Sequence, residues 1–253
     1  MKNVFLALTL CVAAMAQTKS APPAAAAPKP AATKAPAAKA PAAKTAAPKA
    51  AAVRRDLMNP ATMTGRAPAV FFTKFVTTKG EVIIKVTRAW APNGADRFYN
   101  LVRAGFFTDT AFFRVLSGFM AQFGISPKPE IARVWANANI IDDPVKSSNT
   151  RGMVTFAQTS ARNSRSTQFF INYADNSRLD PDRFAPFGEV IQGMDVVDKL
   201  YSGYGEQPDQ TLITTQGKAY LDKNFPRLDR ILTATVVPDP AAPKDAPKDA
   251  AKK

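Results

Sequence analysis

Hydrophobic and polar residues alternate along several short segments of the chain, which is the pattern of half-buried β-strands. The alternation first appears over residues 69–78, and the turn signal Lys79-Gly80 separates it from a second alternating segment over 81–86. These two segments therefore predict a β-hairpin. Six further short apolar segments, each bounded by turn residues, predict strands over 112–116, 119–123, 153–157, 168–172, 187–191 and 231–237.

Two segments instead carry apolar residues at the three- and four-residue spacing of an amphipathic helix. The first begins at Pro92 and ends before Gly105, with proline at its start and glycine at its end, as is common in helices. The second covers residues 194–201. Many short strands with only two main helices favour a mainly β fold, a closed eight-stranded antiparallel barrel capped by two α-helices.

Two parts of this region are less regular. Residues 126–150 are rich in proline, asparagine and aspartate and predict mostly loop, with Trp135 as an isolated apolar anchor. The segment 205–229, which we call the extension, precedes the last strand, and its part 216–225 predicts one extra short helix. Its residues indicate no function for the extension.

The two ends of the chain differ from its middle in composition. Residues 1–16 carry Lys2, an apolar run and an Ala-Met-Ala sequence at 14–16, which predicts a cleaved signal peptide and hence an exported protein, periplasmic or secreted. The alanine-, proline- and lysine-rich stretch that follows predicts disorder, as does the carboxyl-terminal tail with its repeated Pro-Lys-Asp-Ala. The predicted organisation is a signal peptide over 1–16, a disordered linker over 17–60, one folded domain over 61–237 and a disordered charged tail over 238–253.

The net charge of +14 is placed unevenly, because the stretch from Lys19 to Lys49 holds six lysines and no acidic residue. This composition favours a solvated spacer. The functional alternative is a weak contact of the lysine-rich arm with an anionic envelope surface. No aromatic residue lies between these lysines, so a nucleic-acid partner is not expected. We also expect a monomer, since neither a coiled coil nor a large apolar patch is predicted.

Two absences in the composition restrict the chemistry. The chain has no histidine, and its one cysteine, Cys11, lies in the predicted signal peptide. Catalysis by serine–histidine or cysteine–histidine pairs, imidazole metal sites and disulfides are therefore excluded from the mature protein. We expect it to need no cofactor and no metal.

The segments FFRVLSGFMAQ (112–122) and QFFI (168–171) combine one cation, two amides and large apolar side chains, with no obvious nucleophile or base. Such a set suits a pocket that holds an apolar group and polarises an amide. Rotation about an X-Pro bond meets a barrier of about 18–20 kcal/mol from amide resonance and needs no proton acceptor. It needs a donor aimed at the amide nitrogen, and arginine offers a permanent charge on a rigid planar fork.

Both segments closely resemble the active-site strands of cyclophilins, the barrel-shaped peptidyl-prolyl isomerases. The resemblance runs from about residue 70 to 237 and includes 152–157, 179–180 and 187–190. It implies that Arg114 is the catalytic arginine and that Gln122 orients it. It further implies substrate-binding residues that surround the proline and its flanking backbone: Phe119, Met120, Ala157, Gln158, Gln168, Phe170, Leu179 and Phe184.

Some positions depart from the pattern of that family. Phe113 replaces a common histidine, and Phe184 lies near a position that often holds histidine or tyrosine, so we expect both to make the rim of the pocket more apolar. No tryptophan lies near residues 177–178, which leaves cyclosporin sensitivity open. The residue preferred before proline is expected to depend on the loop 159–167 and on the rim near Gln158.

Three hypotheses follow. The first is an exported peptidyl-prolyl cis-trans isomerase that assists the folding of proline-containing polypeptides. The second is a chaperone or scaffold that captures proline segments with little turnover, and the third gives the function to the lysine-rich arm. Each residue alone also fits a simpler role, such as a solvent-facing arginine on a strand or a core phenylalanine. Seven matching side chains, in order and at the spacing of the family, favour the isomerase site.

Overall fold

The structure is a computed structural model that describes residues 57–242. Within these residues nine strands form one sheet in the order β3-β9-β1-β2-β8-β6-β7-β5-β4. Every neighbouring pair of strands is antiparallel. The strands are β1 Val70–Thr77, β2 Gly80–Thr87, β3 Thr110–Ala111, β4 Arg114–Leu116, β5 Met120–Phe123, β6 Met153–Phe156, β7 Phe169–Asn172, β8 Pro186–Gln192 and β9 Arg230–Val237.

The two edge strands of the sheet, β3 and β4, are separated along the chain only by Phe112 and Phe113. Because only two residues separate them, the sheet must curl so that its two edges come close in space. Strands β3 and β4 are the ends of the strand order and do not pair with each other, so the sheet of residues 57–242 is a curled half-barrel and not the closed barrel predicted. The predicted mainly β, antiparallel architecture is confirmed. The sheet contains nine strands rather than eight because Thr110 and Ala111 pair with the start of β9.

Five α-helices accompany the sheet within residues 57–242: α1 Pro92–Arg103, α2 Pro129–Ala136, α3 Met194–Asp198, α4 Gln210–Gln216 and α5 Lys218–Asn224. Helices α1, α3 and α5 lie where the sequence predicts helices, whereas α4 was not predicted, so the extension contains two short helices and not one. The prediction of loop over 126–150 is wrong for α2, because Pro129 occupies the first turn of that helix, where a missing N–H costs nothing. Trp135 is accordingly part of the buried face of α2 and donates a hydrogen bond from Nε1 to the Leu57 carbonyl at 2.8 Å.

A cluster of phenylalanine rings fills the interior of the sheet. Phe98 of α1 is fully buried, and its ring centroid lies 5.4 Å from that of Phe169 and 5.0 Å from that of Phe187. Ala121 and Phe123 of β5 belong to the same core. Because successive side chains of a strand point to opposite faces, Met120 and Gln122 lie on the other face of β5.

A second set of buried residues, which we call the outer cluster, packs the extension against the sheet. It consists of Ala111, Phe113, Ile125, Ala132, Ile213, Leu221, Phe225 and Leu228. Phe113 is only 1% exposed, so the expectation that it lines the rim of the pocket is wrong. Its ring instead forms part of the surface on which α4 and α5 pack.

The packed fold begins earlier than residue 61, because Leu57 is buried in the core. The predicted signal peptide, the linker up to residue 56 and the tail from residue 243 lie outside the described residues. Among residues 57–242, none of the helices is both long enough and apolar enough to span a bilayer.

Candidate active site

A cavity of about 360 Å³ opens beside strands β4, β5 and β7. All ten predicted site residues line it: Arg114, Phe119, Met120, Gln122, Ala157, Gln158, Gln168, Phe170, Leu179 and Phe184. Four further residues complete the lining: Thr159, Ser164, Ser166 and Gln210. Three of these four belong to the loop 159–167, and Gln210 begins α4.

The register of the sheet explains why residues far apart in sequence meet at this cavity. Arg114 of β4 is directly opposite Gln122 of β5, and Gln122 is directly opposite Phe170 of β7. Directly opposed residues of antiparallel strands have neighbouring side chains on the same face. The cation, the amide and the aromatic ring therefore form one row across three strands.

Two hydrogen bonds join the polar members of the site. Arg114 NH1 donates to Gln122 Oε1 at 3.2 Å, and Gln122 Nε2 donates to Gln168 Oε1 at 2.8 Å. Gln122 is only 6% exposed, so its amide is held between its two partners with little access to water. The guanidinium is thus oriented by an amide that is itself held in place.

The apolar part of the cavity is formed by Phe119, Met120, Phe170, Leu179 and Phe184. Met120 and Phe170 are buried, and the rings of Phe170 and Phe184 meet at a centroid distance of 5.8 Å with an interplanar angle of 67°. Leu179 closes this side from a single turn of 3-10 helix. Together these side chains form a slot for a small apolar ring.

Gln158 lines the far side of the cavity, but both of its polar groups are bound within the protein. Its Nε2 donates to the Asp182 carbonyl at 2.7 Å, and its Oε1 accepts from Arg165 Nε at 3.1 Å. Arg165 also donates to the Arg183 carbonyl and lies 3.7 Å from Asp142. Burial lowers the pKa of Arg165. This network fixes the loop 159–167 to the body of the fold.

A family model described as cyclophilin type peptidyl-prolyl cis-trans isomerase matches residues 72–218. This chain belongs to the cyclophilin family. Peptidyl-prolyl cis-trans isomerase B of Escherichia coli (strain K12) is 31% identical over 176 residues, which cover 64% of this chain and 97% of that protein. Peptidyl-prolyl cis-trans isomerase A of Dickeya dadantii (strain 3937) is 36% identical over 130 residues, which cover 49% of this chain and 67% of that protein.

A solved structure with the same fold is cyclophilin AquaCyp293 from Hirschia baltica. It is 23% identical with a TM-score of 0.52, and the match covers 81% of this cyclophilin and 84% of that chain. The family predicted from the two active-site segments is therefore confirmed, and with it the enzyme class of peptidyl-prolyl isomerase.

Besides the four further lining residues, one charged partner of Arg114 in this cyclophilin was not predicted from the sequence. Glu206, in the extension, accepts a hydrogen bond from Arg114 Nε at 2.7 Å, and Arg114 NH2 donates to the same carboxylate oxygen. Glu206 lies 92 residues from Arg114 in the sequence, in a turn without hydrophobic periodicity. No local signal in the sequence indicates its contact with Arg114.

Proposed function

We propose that Arg114 catalyses rotation about X-Pro bonds by directing its guanidinium at the proline amide nitrogen while the apolar slot holds the proline ring. The observation that carries this proposal is the placement of Arg114, Gln122 and the five apolar side chains around one cavity. Rotation about the X-Pro bond requires neither a nucleophile nor a proton acceptor, so none of these groups has to act as one.

The energetic part of the proposal is electrostatic. The barrier of about 18–20 kcal/mol comes from resonance between the amide nitrogen and the carbonyl. A donor that engages the nitrogen lone pair stabilises the twisted amide in which this resonance is lost, so its effect is greater in the transition state than in the ground state. Gln122 holds the guanidinium in advance, and the apolar wall strengthens the interaction by keeping water away.

We further propose that the substrates are proline-containing segments of exported proteins that have not yet folded. The support comes from the predicted signal peptide over residues 1–16, which lies outside the described residues. The lysine-rich arm fits the same setting, as a spacer or as a weak contact to an anionic envelope surface. Capture of proline segments without turnover is the alternative function.

The test of the mechanism is the cis-to-trans relaxation rate of a proline tetrapeptide with the purified protein and with Arg114→Ala. We expect a loss of about 10²–10³-fold in the catalysed rate, the usual effect of removing one preorganised donor. Arg114→Lys should also be impaired, because an ammonium lacks the planar fork. Arg133→Ala is the matched control, since Arg133 is exposed on α2 and outside the cavity.

Two outcomes would contradict parts of the proposal. Full activity in Arg114→Ala would remove the mechanism. A folded wild-type protein that binds the peptide without accelerating its relaxation would favour the chaperone function, and refolding of a client protein would then be equal for wild type and Arg114→Ala. Export is tested separately, by fractionation of cells that carry the full chain or a chain without residues 1–16.

A further inference from the structure

The guanidinium of Arg114 donates to oxygen atoms of two residues that differ in charge, besides its contact of 4.0 Å with the Met120 sulfur. Its NH1 group donates to the neutral amide of Gln122 at 3.2 Å. Its Nε donates to the carboxylate of Glu206 at 2.7 Å, and NH2 donates to the same oxygen. The Nε–NH2 edge of the guanidinium, which is an edge that binds carboxylates, is thus occupied by a residue of the extension.

The backbone of Glu206 is held in place although its side chain is not. The turn around it is closed by hydrogen bonds from Gly205 N to the Ser202 carbonyl at 3.0 Å and from Gln207 N to the Tyr204 carbonyl at 2.9 Å. The Tyr204 ring lies 5.1 Å from that of Phe225, which is part of the outer cluster. The side chain of Glu206, in contrast, is 60% exposed. A carboxylate so placed can leave Arg114 and return at little cost, since exposed ion pairs are weak.

The charge of the cavity lining determines how the Arg114–Glu206 ion pair affects an entering polypeptide. Among the described residues that line the cavity, Arg114 alone is ionisable. An acidic side chain in an entering polypeptide would therefore be drawn to Arg114 and would bind its fork through two hydrogen bonds. A proline amide is neutral and needs only one N–H group, whereas an incoming carboxylate competes for the edge that Glu206 already holds.

We propose that Glu206 is a specificity-determining residue that disfavours acidic substrate segments, so that neutral and basic segments around X-Pro are preferred. This inference rests on the proposed function of Arg114. The carboxylate acts as a competitor built into the chain: it repels acidic residues near the guanidinium and attracts basic ones. It also gives the extension, which the sequence left without a function, a role at the active site.

The experiment compares three tetrapeptides that differ only in one residue beside the X-Pro pair, which is glutamine, glutamate or lysine. Values of kcat/KM are measured for wild type and for Glu206→Gln. In the variant we expect the glutamate peptide to gain about two- to fivefold relative to the glutamine peptide, the range of an exposed ion pair, and the lysine peptide to lose by a similar factor. The wild-type preference should also weaken at high salt, which screens exposed charges.

Glu81→Gln is the matched control. Glu81 is 59% exposed and pairs with Lys74 at 2.9 Å, in the hairpin of β1 and β2 and outside the cavity lining. This variant should leave all three kcat/KM values unchanged, which shows that loss of a surface carboxylate alone does not alter the preference. Thermal unfolding of both variants checks that the fold is retained.

Two results would overturn the inference. An equal fall in kcat/KM for all three peptides in Glu206→Gln would mean that Glu206 positions Arg114 and does not select substrates. Unchanged ratios would mean that the pair has no role in selection. Failure of the proposed function is seen in a separate comparison. If Arg114→Ala isomerises the glutamine peptide as fast as wild type does, the proposed role of Arg114 is wrong.

Discussion

The hydrogen bond between Gln122 and Arg114 allows a direct test of how the site orients its cation. Gln122→Met preserves the length and approximate volume of the side chain and removes both of its polar groups. Arg114 NH1 then loses its acceptor, and Gln168 Oε1 loses its donor. Since no cavity is created, the effect reports the lost orientation and not a change in packing.

The expected magnitude follows from the environment of the two residues. A hydrogen bond to a charged group contributes about 1.5–3 kcal/mol. The side chain of Arg114 is 28% exposed, so water replaces part of what is lost. We therefore expect about 1–2 kcal/mol at the transition state, which corresponds to a fall of about 5- to 30-fold in kcat/KM. The fall should lie mainly in kcat, because the apolar slot that we propose to bind proline is unchanged.

The assay is the relaxation of a proline tetrapeptide over a range of substrate concentrations, with thermal unfolding measured in parallel. Gln192→Met serves as the control, because Gln192 is exposed at the end of β8 and is not part of the cavity lining. A kcat/KM for Gln122→Met within twofold of wild type would refute the argument that this amide orients Arg114. An equal fall in Gln192→Met would refute it as well.

Three further predictions concern the slot, the fold and the effect of acid. Phe170→Ala should raise KM for a proline peptide about tenfold, because a wall of the slot is lost, and unchanged KM would contradict this. Gly124→Ala should lower the free energy of unfolding by more than about 2 kcal/mol in a denaturant titration, because the added Cβ would lie 2.1 Å from the Thr167 carbonyl at a φ of +107°. Burial opposes ionisation of Asp96, but hydrogen bonds and charge, chiefly from Arg88, lower the pKa of its carboxyl. The contribution of Asp96 to the free energy of unfolding is therefore full above about pH 4 and is lost below it. The free energy of unfolding of Asp96→Asn should accordingly depend less on pH in the acid range.

The strands and the first helix could be predicted from the sequence because their periodicity is set by which face meets the core. All eight predicted strands are present, with bounds that differ by no more than two residues. Helix α2 could not be recognised in the same way, since the prolines around it are equally typical of a loop. Its buried face is defined by contact with other parts of the chain, such as the bond from Trp135 to Leu57. Ile131, Ala132 and Trp135 do follow a helical spacing on that face, but a helix of eight residues carries too short a run of it to outweigh the loop signal of the prolines.

The residues of the site likewise include some that the sequence predicts and others that it does not. Arg114, Gln122 and Phe170 lie on paired strands, where fixed register converts the order of residues in the sequence into adjacency in space. The resemblance of those strands to cyclophilins was therefore enough to assemble the cavity. Glu206 belongs to an extension whose course across the surface is set by the outer cluster, and nothing in its neighbouring residues predicts contact with Arg114.

Phe113, one of the departures from the cyclophilin pattern, belongs to the same buried cluster as apolar residues of the extension. Phe113 stands where the family commonly has histidine, next to Arg114 in sequence, yet its ring is buried in the outer cluster. A histidine there would place a polar ring among apolar side chains, which is costly without a hydrogen-bond partner. Phenylalanine instead supplies part of the apolar surface on which the extension packs. The same extension contains Glu206, whose carboxylate contacts the guanidinium of Arg114, the one cation among the described residues that line the cavity.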